Sequence, residues 1–272
     1  MPPMSPLLRT TFHPHCRLGS GVADTTPGDR ASACRNPHLS TSRDHHPDVE
    51  LEQGHAQNVV MRLDHLSFAA GPDGLHSTAE RLGAAVGREF IDGGVHPRFG
   101  TRNMILPLAD DTYLEVVEAL EHPASDKAPF GQAVRARSAL GGGWLGWVVA
   151  VPDIVPVEER LGRGAVQGQR HRPDGTELRW KQIGVNGLIS DPQLPFFIQW
   201  ETAAELHPSA GADDQLSLAG IEIAGDPLRV SEWLGESVEA PLEDVKVEWV
   251  APHGIPGILA AQVHTPNGLV RI

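Results

Sequence analysis

The chain carries two pairs of reactive side chains at nearly equal spacing. His65 lies 50 residues before Glu115, and Trp147 lies 52 residues before Gln199. Imidazole nitrogen, carboxylate oxygen and the amide oxygen of glutamine can all bind a divalent metal, and a carboxylate can instead act as a general base. The spacing indicates that one structural unit occurs twice, each copy with a chosen side chain on its first strand and another on its last. Pairing of the two units would bring all four side chains into one cleft.

A second group of polar side chains falls in the short segment 96–103. Its members are His96, Arg98, Thr101, Arg102 and Asn103. A proline and a glycine within the segment predict a turn between two strands, which would bring His96 near Arg102 across a hairpin. The planar fork of arginine matches a carboxylate or phosphate, so the segment indicates anion recognition, chiefly by Arg102. The alternative is that Arg98 is a solvated turn residue and that Thr101 and Asn103 satisfy local backbone groups.

Composition limits the partners of the protein. Of its 272 residues 40% are hydrophobic, and the formal net charge is -13. This negative charge would repel nucleic acid and anionic lipid, so a small-molecule partner is favoured. No apolar run approaches the roughly 18 residues of a membrane span. Cys16 and Cys34 are the only cysteines, which fits a reducing compartment, and the N-terminus lacks the pattern of a secretory signal. We expect a soluble, cytoplasmic protein.

Residues 1–60 differ in composition from the rest of the chain. They contain scattered Pro, Ser, Thr and charged residues, and no helical or strand periodicity lasts for a full element. We predict that this segment is either a disordered tail or a mis-annotated start, because Met61 opens the first convincing strand. Peptides from the segment in natively expressed protein would contradict the second interpretation.

From Met61 onward, the chain repeats a pattern of one strand, one amphipathic helix and further strands. Three segments show this pattern, over residues 61–121, 144–202 and 216–272. Each predicted helix ends in Leu-Gly, with the glycines at 83, 162 and 235, because glycine readily adopts the left-handed conformation that stops a helix. Repetition at this period indicates one module, roughly β-α-β-β-β, that needs a neighbour to cover its sheet. We therefore predict an α+β fold built from paired modules.

The segment 122–143, between the first two modules, is long for a connection within a compact protein. Such connections are often lids or binding loops. The stretch PFGQAVRARSAL is compatible with a short helix, and the glycines after it would provide a hinge. The sequence GGGW lacks the Lys and the Ser or Thr of a phosphate loop, so nucleotide binding is not indicated.

The first module resembles the vicinal oxygen chelate superfamily, and in particular its glyoxalase-like branch. The resemblance rests on LDHLSFAA, GGVHPRFGTRN and TYLEVVE, in the order and spacing of that branch, and with the repeat it covers Met61 to about Glu201. It implies that two modules pair into a cup-shaped mixed sheet. It also implies a divalent metal held by the first and fourth strands of both modules, which substrates chelate through adjacent oxygens.

Carried over residue by residue, the resemblance assigns His65 and Glu115 as metal ligands from the first module. Matching LDH with LGW and YLEV with FIQW gives Trp147 and Gln199 in the second. Gln199 can bind a metal through its amide oxygen but Trp147 cannot, so the chain departs from the usual set of ligands. We expect Trp147 to offer an aromatic wall to a substrate instead. Imidazole and carboxylate ligands suit Zn, Fe, Mn, Ni or Co.

Two functions are compatible with these residues. The first is a metal-dependent lyase, isomerase or dioxygenase that acts on a small oxygenated substrate with an anionic group. In it His65, Glu115 and Gln199 hold the metal, and Glu115 or His96 has a catalytic role. The second is a metal-free binding or sequestering protein of the same fold. The His65 and Glu115 pair favours the enzyme, whereas Trp147 favours the binder. A homodimer is compatible with either function, and the third segment could pair either within the chain or across two copies.

Overall fold

The computed structural model describes residues 61–212, 214–237, 242 and 245–272. The prediction for residues 1–60 lies outside the described residues. Among the helices within the described ranges, none has both the length and the apolar character that a membrane crossing requires.

The first module contains four strands and one helix. Its elements are β1 (Arg62–Ala69), α1 (Gly74–Val86), β2 (Ile91–His96), β3 (Thr101–Pro107) and β4 (Tyr113–Ala119). The helix buries Leu75, Ala79 and Val86, which share one face at helical spacing. It continues past the stop predicted at Gly83 and ends at Gly87, whose φ of 72° is left-handed. Gly83 lies on the buried face and packs closely against the chain that follows the helix.

The segment 122–143 is mostly helical. It contains α2 (Pro123–Lys127) and α3 (Pro129–Ala139), each with a proline at its start, where the missing N–H is not needed. The short helix predicted within PFGQAVRARSAL is therefore present. α3 packs against β1 and β4, and it buries Phe130 and Val134. A role as a lid stays a prediction.

The second module repeats the arrangement of the first. Its elements are β5 (Gly143–Ala150), α4 (Val155–Leu161), β6 (Val166–His171), β7 (Glu177–Ile183), the short α5 (Gly187–Ser190) and β8 (Phe196–Trp200). α4 ends at Gly162, in the left-handed conformation that the Leu-Gly pair predicts.

The eight strands of the two modules form one closed barrel, in the order β1-β4-β3-β2-β6-β7-β8-β5. Within each module the first and last strands are parallel neighbours, β1 beside β4 and β5 beside β8. Between modules, β1 pairs antiparallel with β5, and β2 pairs with β6. The predicted α+β fold of paired βαβββ modules is confirmed. Because the sheet closes on itself, both modules line one interior.

The third segment forms a separate four-stranded sheet. Its elements are β9 (Ser217–Ala224), α6 (Pro227–Leu234), β10 (Lys246–Ala251), β11 (Gly257–Thr265) and β12 (Gly268–Arg271). The strand order is β10-β9-β11-β12, whereas in each barrel module the last strand lies beside the first. This segment therefore repeats the order of elements along the chain but not the strand order of the modules.

Two groups of buried apolar side chains stabilise the fold. One lies inside the barrel and under α3, and it includes Val148 and Ile198. The larger group lies between the outer face of the barrel, its helices and the four-stranded sheet of the third segment, called the third sheet below. It includes Leu66, Trp147 and Ile221. Because successive residues of a strand face opposite sides, one strand contributes to both groups.

Candidate active site

A cavity inside the barrel is lined by side chains from both modules. Its polar members are His65, His96, Tyr113, Glu115, Arg170 and Gln182, and its apolar and aromatic members are Phe99, Phe130, Trp180, Phe196, Ile198 and Trp200. All six polar side chains are buried. Charges interact more strongly in such an enclosure than in water, because the local dielectric constant is lower. This cavity is therefore the candidate active site.

Glu115 is a buried carboxylate that other polar groups surround. Ser67 Oγ donates a hydrogen bond to its Oε2 (2.6 Å), and Asn103 Nδ2 donates to its Oε1 (2.7 Å). The Nε2 atom of His65 lies 4.0 Å from Oε2, and that of His96 lies 3.9 Å from Oε1. Burial alone would raise the pKa of Glu115, but the two imidazoles and the two hydrogen bonds lower it below its ordinary value. The carboxylate is therefore ionised at neutral pH.

The strand register explains how these groups meet. β1 and β4 are parallel neighbours, and Ser67 pairs with Glu115 across them. Asn103 on β3 pairs with Val117, two residues beyond Glu115 and on the same face of β4. His65 precedes Ser67 by two residues, so strand alternation turns both side chains to the barrel interior.

His65 is oriented by a second buried carboxylate, that of Asp64. The Nδ1 atom of His65 lies 2.6 Å from Oδ1 of Asp64, whose Oδ2 accepts from Trp200 Nε1 (2.8 Å) and from His207 Nε2 (3.2 Å). Burial disfavours ionisation of Asp64, but the hydrogen bonds from His207 and His65 hold its pKa well below the ordinary range. An ionised carboxylate only accepts, so Nδ1 of His65 is the donor. Nε2 is left facing the cavity.

His207 supports this carboxylate from the loop that follows β8. Its Nδ1 accepts from the backbone N–H of Ser209 (3.2 Å) and lies 2.6 Å from Ser209 Oγ. Because Nδ1 accepts, Nε2 carries the proton and donates to Asp64. His207 is buried, although a histidine beside a turn carries no sequence signal of burial.

His96, at the end of β2, approaches Glu115 through its second oxygen. Its Nδ1 lies 3.0 Å from Thr101 Oγ1, and the two residues pair across the hairpin of β2 and β3. Burial lowers the pKa of His96 to about 4, with Glu115 opposing the shift and Arg170 adding to it. The imidazole is therefore neutral at pH 7.

The structure divides the polar group predicted in segment 96–103. The residues that it brings into the site are His96, Thr101 and Asn103. It leaves Arg98 exposed at the turn, and Arg102 forms an ion pair with Glu118 outside the cavity (Nη2–Oε2 2.7 Å). Alternation along β3 gives the reason, because Arg102 lies between two inward-facing residues. The prediction that these two arginines bind the substrate does not agree with their positions.

Trp147 and Gln199, the second-module candidates, also lie outside the cavity. Trp147 is fully buried on the outer face of β5, where its Nε1 donates to the backbone oxygen of Gln193 (2.8 Å). Gln199 Oε1 accepts from the backbone N–H of Ile154 (3.2 Å). Neither the aromatic wall predicted for Trp147 nor the metal-ligand role predicted for Gln199 agrees with these positions.

The second-module match was wrong because its register is displaced. His65 pairs with Val148 across β1 and β5. Glu115 and Ile198 occupy matching positions on the parallel last strands of their modules. Val148 and Ile198 are 50 residues apart, as are His65 and Glu115. A shift of one residue exchanges the two faces of a strand, so the true equivalents of both predicted ligands are apolar.

Arg170, on β6, is a site residue that the sequence patterns did not reveal. It is 1% exposed and lines the cavity. Within the described part of the chain, its Nε and Nη2 atoms have no hydrogen-bond partner. Its position corresponds to that of His96, because His96 pairs with Thr101 and Arg170 pairs with Leu178, the equivalent of Thr101. Alternation in VQGQRH reveals the inward direction of Arg170 only once the register is known.

Tyr113 was also missed, although it is the only tyrosine of the chain. Its ring stacks on the His65 imidazole, with centroids 4.4 Å apart and an interplanar angle of 19°. Burial raises the pKa of Tyr113 well above its ordinary value, so the hydroxyl keeps its proton. The available signal was its position two residues before Glu115, on the same face of β4.

The donors in the cavity do not fit the four-position metal site that the resemblance implies. Two of those positions carry Val148 and Ile198, which offer no donor atom. Both oxygens of Glu115 already accept hydrogen bonds. Across residues 61–212, 214–237, 242 and 245–272, no group of three or more His, Cys, Asp or Glu side chains is arranged to hold a metal ion. His65 and Glu115 supply two donors of suitable type from the first module alone.

Comparisons with known proteins give the family. A model described as a glyoxalase-like domain matches residues 63–238. No curated protein matches the sequence. A hypothetical protein from Staphylococcus aureus is 15% identical with a TM-score of 0.49, and 78% of this chain and 86% of that chain are covered. A methylmalonyl-CoA epimerase in complex with methylmalonyl-CoA is 18% identical with a TM-score of 0.36. The match covers 53% of this chain and 96% of the epimerase chain. A mutant 4-hydroxymandelate synthase from Streptomyces coelicolor is 13% identical with a TM-score of 0.36. The match covers 78% of this chain and 62% of the synthase chain.

The matched region begins within β1 and extends beyond α6, so it contains both barrel modules. It makes up well over half of the chain. The glyoxalase-like resemblance seen in the first module is thereby confirmed, and the chain belongs to the glyoxalase-like domain family.

Proposed function

We propose that the protein is a lyase or isomerase that transfers a proton to or from a small oxygenated substrate inside the barrel. The observation that carries this proposal is the placement of His65 between two buried carboxylates, Asp64 at Nδ1 and Glu115 near Nε2. Two carboxylates buried beside one imidazole are costly to fold, because each charge leaves water. Such arrangements cluster at functional sites.

His65 is the proton acceptor in this proposal. Asp64 fixes the imidazole so that Nδ1 donates and Nε2 faces the cavity with its lone pair. Glu115 lies 4.0 Å from Nε2 and stabilises the positive charge that forms when the ring takes a proton. The lowered pKa of Glu115 indicates a stabilised anion, which is a better charge partner than a base. A direct role of Glu115 as the base is the alternative that the variants below separate.

His96 completes the proton-transfer group. It is neutral at pH 7, so one ring nitrogen can donate a hydrogen bond to the substrate while the other can accept a proton, and Glu115 would stabilise the cation that forms. Its Nε2 lies 3.9 Å from Glu115, on the oxygen that His65 does not approach. The aromatic side chains of the lining lower the local dielectric constant, which strengthens the interactions of these three groups with a substrate.

Deuterium exchange tests the proposal. The full chain is incubated in D₂O with small carbonyl compounds, comprising 2-oxo acids, their amides, 2-hydroxy acids and simple ketones. Loss of the proton signal beside the carbonyl is followed by NMR. We expect at least one compound to exchange faster than in the protein-free blank, and His65→Gln to slow that exchange about a hundredfold or more. Glu115→Gln leaves a larger residual rate if Glu115 is the charge partner, and abolishes exchange if it is the base.

A matched control comes from His171, which forms a histidine–carboxylate pair with Glu177 outside the cavity (3.1 Å). His171→Gln is expected to keep the wild-type exchange rate. Absence of exchange with every compound, or exchange that His65→Gln leaves unchanged, would overturn the proposed function. Binding without exchange would favour the metal-free binding protein.

A metal-dependent enzyme, including a dioxygenase, is the second candidate. It is favoured by the imidazole and carboxylate donors of His65 and Glu115, whose nearest atoms lie 4.0 Å apart. Plasma mass spectrometry of the full chain after incubation with Zn, Mn, Fe, Ni and Co decides the question. A metal content below about a tenth of an equivalent excludes this candidate. Equal metal in His65→Ala would place the metal elsewhere.

A further inference from the structure

Arg170 is a buried cation, and two of its three guanidinium nitrogens have no hydrogen-bond partner among the described residues. The side chain is 1% exposed, and it lines the cavity together with His96 and Glu115. Its Nε and Nη2 atoms are buried and have no hydrogen-bond partner among the residues that the structure describes. Such a group is rare, because an unpaired buried charge loses its hydration without compensation. It therefore requires a partner that the described residues do not supply.

The two unpaired nitrogens form one edge of the guanidinium group. Nε and Nη2 lie along the same edge of this planar group, and their N–H bonds run nearly parallel, which matches the two oxygens of a carboxylate. The third sheet contains this pairing already made. There Arg271 donates through Nε to Oε1 of Glu222 (2.8 Å) and through Nη2 to Oε2 (2.7 Å). In Arg170 no residue of the described ranges occupies the same edge.

The buried carboxylates of the barrel are already engaged elsewhere. Asp64 accepts from His65, Trp200 and His207, and Glu115 accepts from Ser67 and Asn103. Neither carboxylate forms an ion pair or a hydrogen bond with Arg170 in the described parts of the chain. An anion supplied by a ligand would complete the charge pairing inside the barrel.

We propose that Arg170 holds the carboxylate of a small carboxylic acid whose carbon body lies against the aromatic lining of the cavity. Placement of the reacting carbon at His65 rests on the proposed function, whereas recognition of the carboxylate by Arg170 does not. Phe99, Phe130, Phe196 and Trp180 form the apolar surface for the carbon body. A single arginine edge among aromatic rings suits one carboxylate, while a phosphate dianion would need further donors or cations.

Ligand pairs that differ only in charge test this proposal. The probes are benzoate with benzamide and isobutyrate with isobutyramide, and binding to the full chain is measured by calorimetry or ligand-observed NMR. We expect at least one carboxylate to bind about tenfold or more tightly than its amide, since a charged hydrogen-bonded pair replaces a neutral one. Arg170→Met should remove this preference. Arg98→Met, at an exposed arginine outside the cavity, should retain it.

Thermal unfolding of Arg170→Met supplies a readout that separates binding from folding. We expect no loss of melting temperature, because the variant removes an unpaired buried charge and keeps a side chain of similar length. If the variant does not fold, Arg170→Lys takes its place. Lysine keeps the charge but lacks the parallel edge, so the preference for the carboxylate should weaken while Arg98→Lys leaves it unchanged.

Several outcomes would overturn the proposal. These are equal affinity of the wild type for acid and amide, a preference that survives in folded Arg170→Met, absence of binding by every probe, and stronger binding of inorganic phosphate than of either carboxylate. The outcomes for the two proposals differ. If 2-oxo amides exchange as fast as the 2-oxo acids, and His65→Gln abolishes this exchange, the proposed function is supported and carboxylate recognition is contradicted. Arg170-dependent binding without any exchange would do the reverse.

Discussion

The side chains of Asp64 and His65 meet in a hydrogen bond of 2.6 Å although the two residues are consecutive on β1. In a regular strand, successive side chains point to opposite faces. Here the pairing of β1 with β5 is irregular, since Leu63 pairs with Val149 while His65 pairs with Val148. This β-bulge re-aims the side chains, so that Asp64 lies behind the imidazole. A local irregularity of the backbone thus creates the orientation of His65.

Replacing Asp64 by asparagine removes this orientation. The amide can donate at the position where Nδ1 of His65 needs an acceptor, so the productive tautomer is lost. We expect Asp64→Asn to lower kcat about a hundredfold with little change in KM. Both constants are measured in the exchange reaction. Asp73→Asn, at an exposed carboxylate paired with Arg81 on the outside of the barrel, should match the wild type. An unchanged kcat in Asp64→Asn would contradict the role of Asp64.

His207 is expected to act through Asp64 as a positioning residue. Its Nε2 donates to Oδ2 of Asp64, and loss of this donor leaves the buried carboxylate less stabilised. We predict that His207→Ala lowers kcat about tenfold and displaces the pH profile of kcat, while KM changes little. His207→Gln, which can still donate, should recover part of the loss. Equal effects of the two substitutions would indicate a role in packing alone.

Protonation of His96 should make stability depend on pH. Its folded-state pKa of about 4 lies below its ordinary value of 6.5, so the unfolded chain binds the proton first as pH falls. The contribution of neutral His96 to the free energy of unfolding is fully present above pH 6.5 and is lost as pH falls towards 4. The largest loss is about 3 kcal/mol. The lowered pKa values of Glu115 and Asp64 add losses in more acidic solution.

Urea unfolding between pH 4.5 and 7.5 measures this dependence. The free energy of unfolding should rise with pH across the window, and it should rise less steeply in His96→Gln, which has no titrating ring. Identical slopes for the wild type and the variant would show that His96 does not remain neutral in the folded state.

Trp147 should matter for stability and not for the reaction. It is fully buried between the barrel and the third sheet, outside the cavity. We expect Trp147→Ala to reduce the free energy of unfolding by about 3 to 5 kcal/mol, while the folded fraction keeps its exchange rate. Trp180→Phe, in the cavity lining, provides the comparison and should change KM. Loss of activity in Trp147→Ala at unchanged stability would restore the predicted aromatic wall.

The modules and their helices could be predicted because their signals are local. Apolar periodicity marks α1, and the Leu-Gly stops mark the ends of α4 and α6. The motifs around His65 and Glu115 mark the first and last strands of one module. These two side chains lie side by side because parallel pairing of β1 and β4 follows from the module itself. The helix α3, in the segment between the two modules, was likewise predicted from its own sequence.

The remainder depended on long-range pairing. Trp147 and Val148 are adjacent and both apolar, so nothing local shows which one faces inward, and the bulge near Asp64 displaces the match by one residue. Arg170 looks like an ordinary strand residue until closure of the barrel buries it. The strand order of the third sheet also arises from contacts between distant segments, and the order of elements along the chain does not determine it.

The equivalence of His96 and Arg170 has a consequence for how the barrel has diverged. The two modules share one backbone arrangement, but their inward-facing side chains differ in chemical type. The first copy contributes the ionisable groups His65, His96 and Glu115, and the second contributes one fixed cation and the apolar Val148 and Ile198. If both proposals hold, reactivity depends on the first module and selectivity depends on the second. Substitutions in the second module can then change which molecule binds, while the ionisable groups of the first module stay the same.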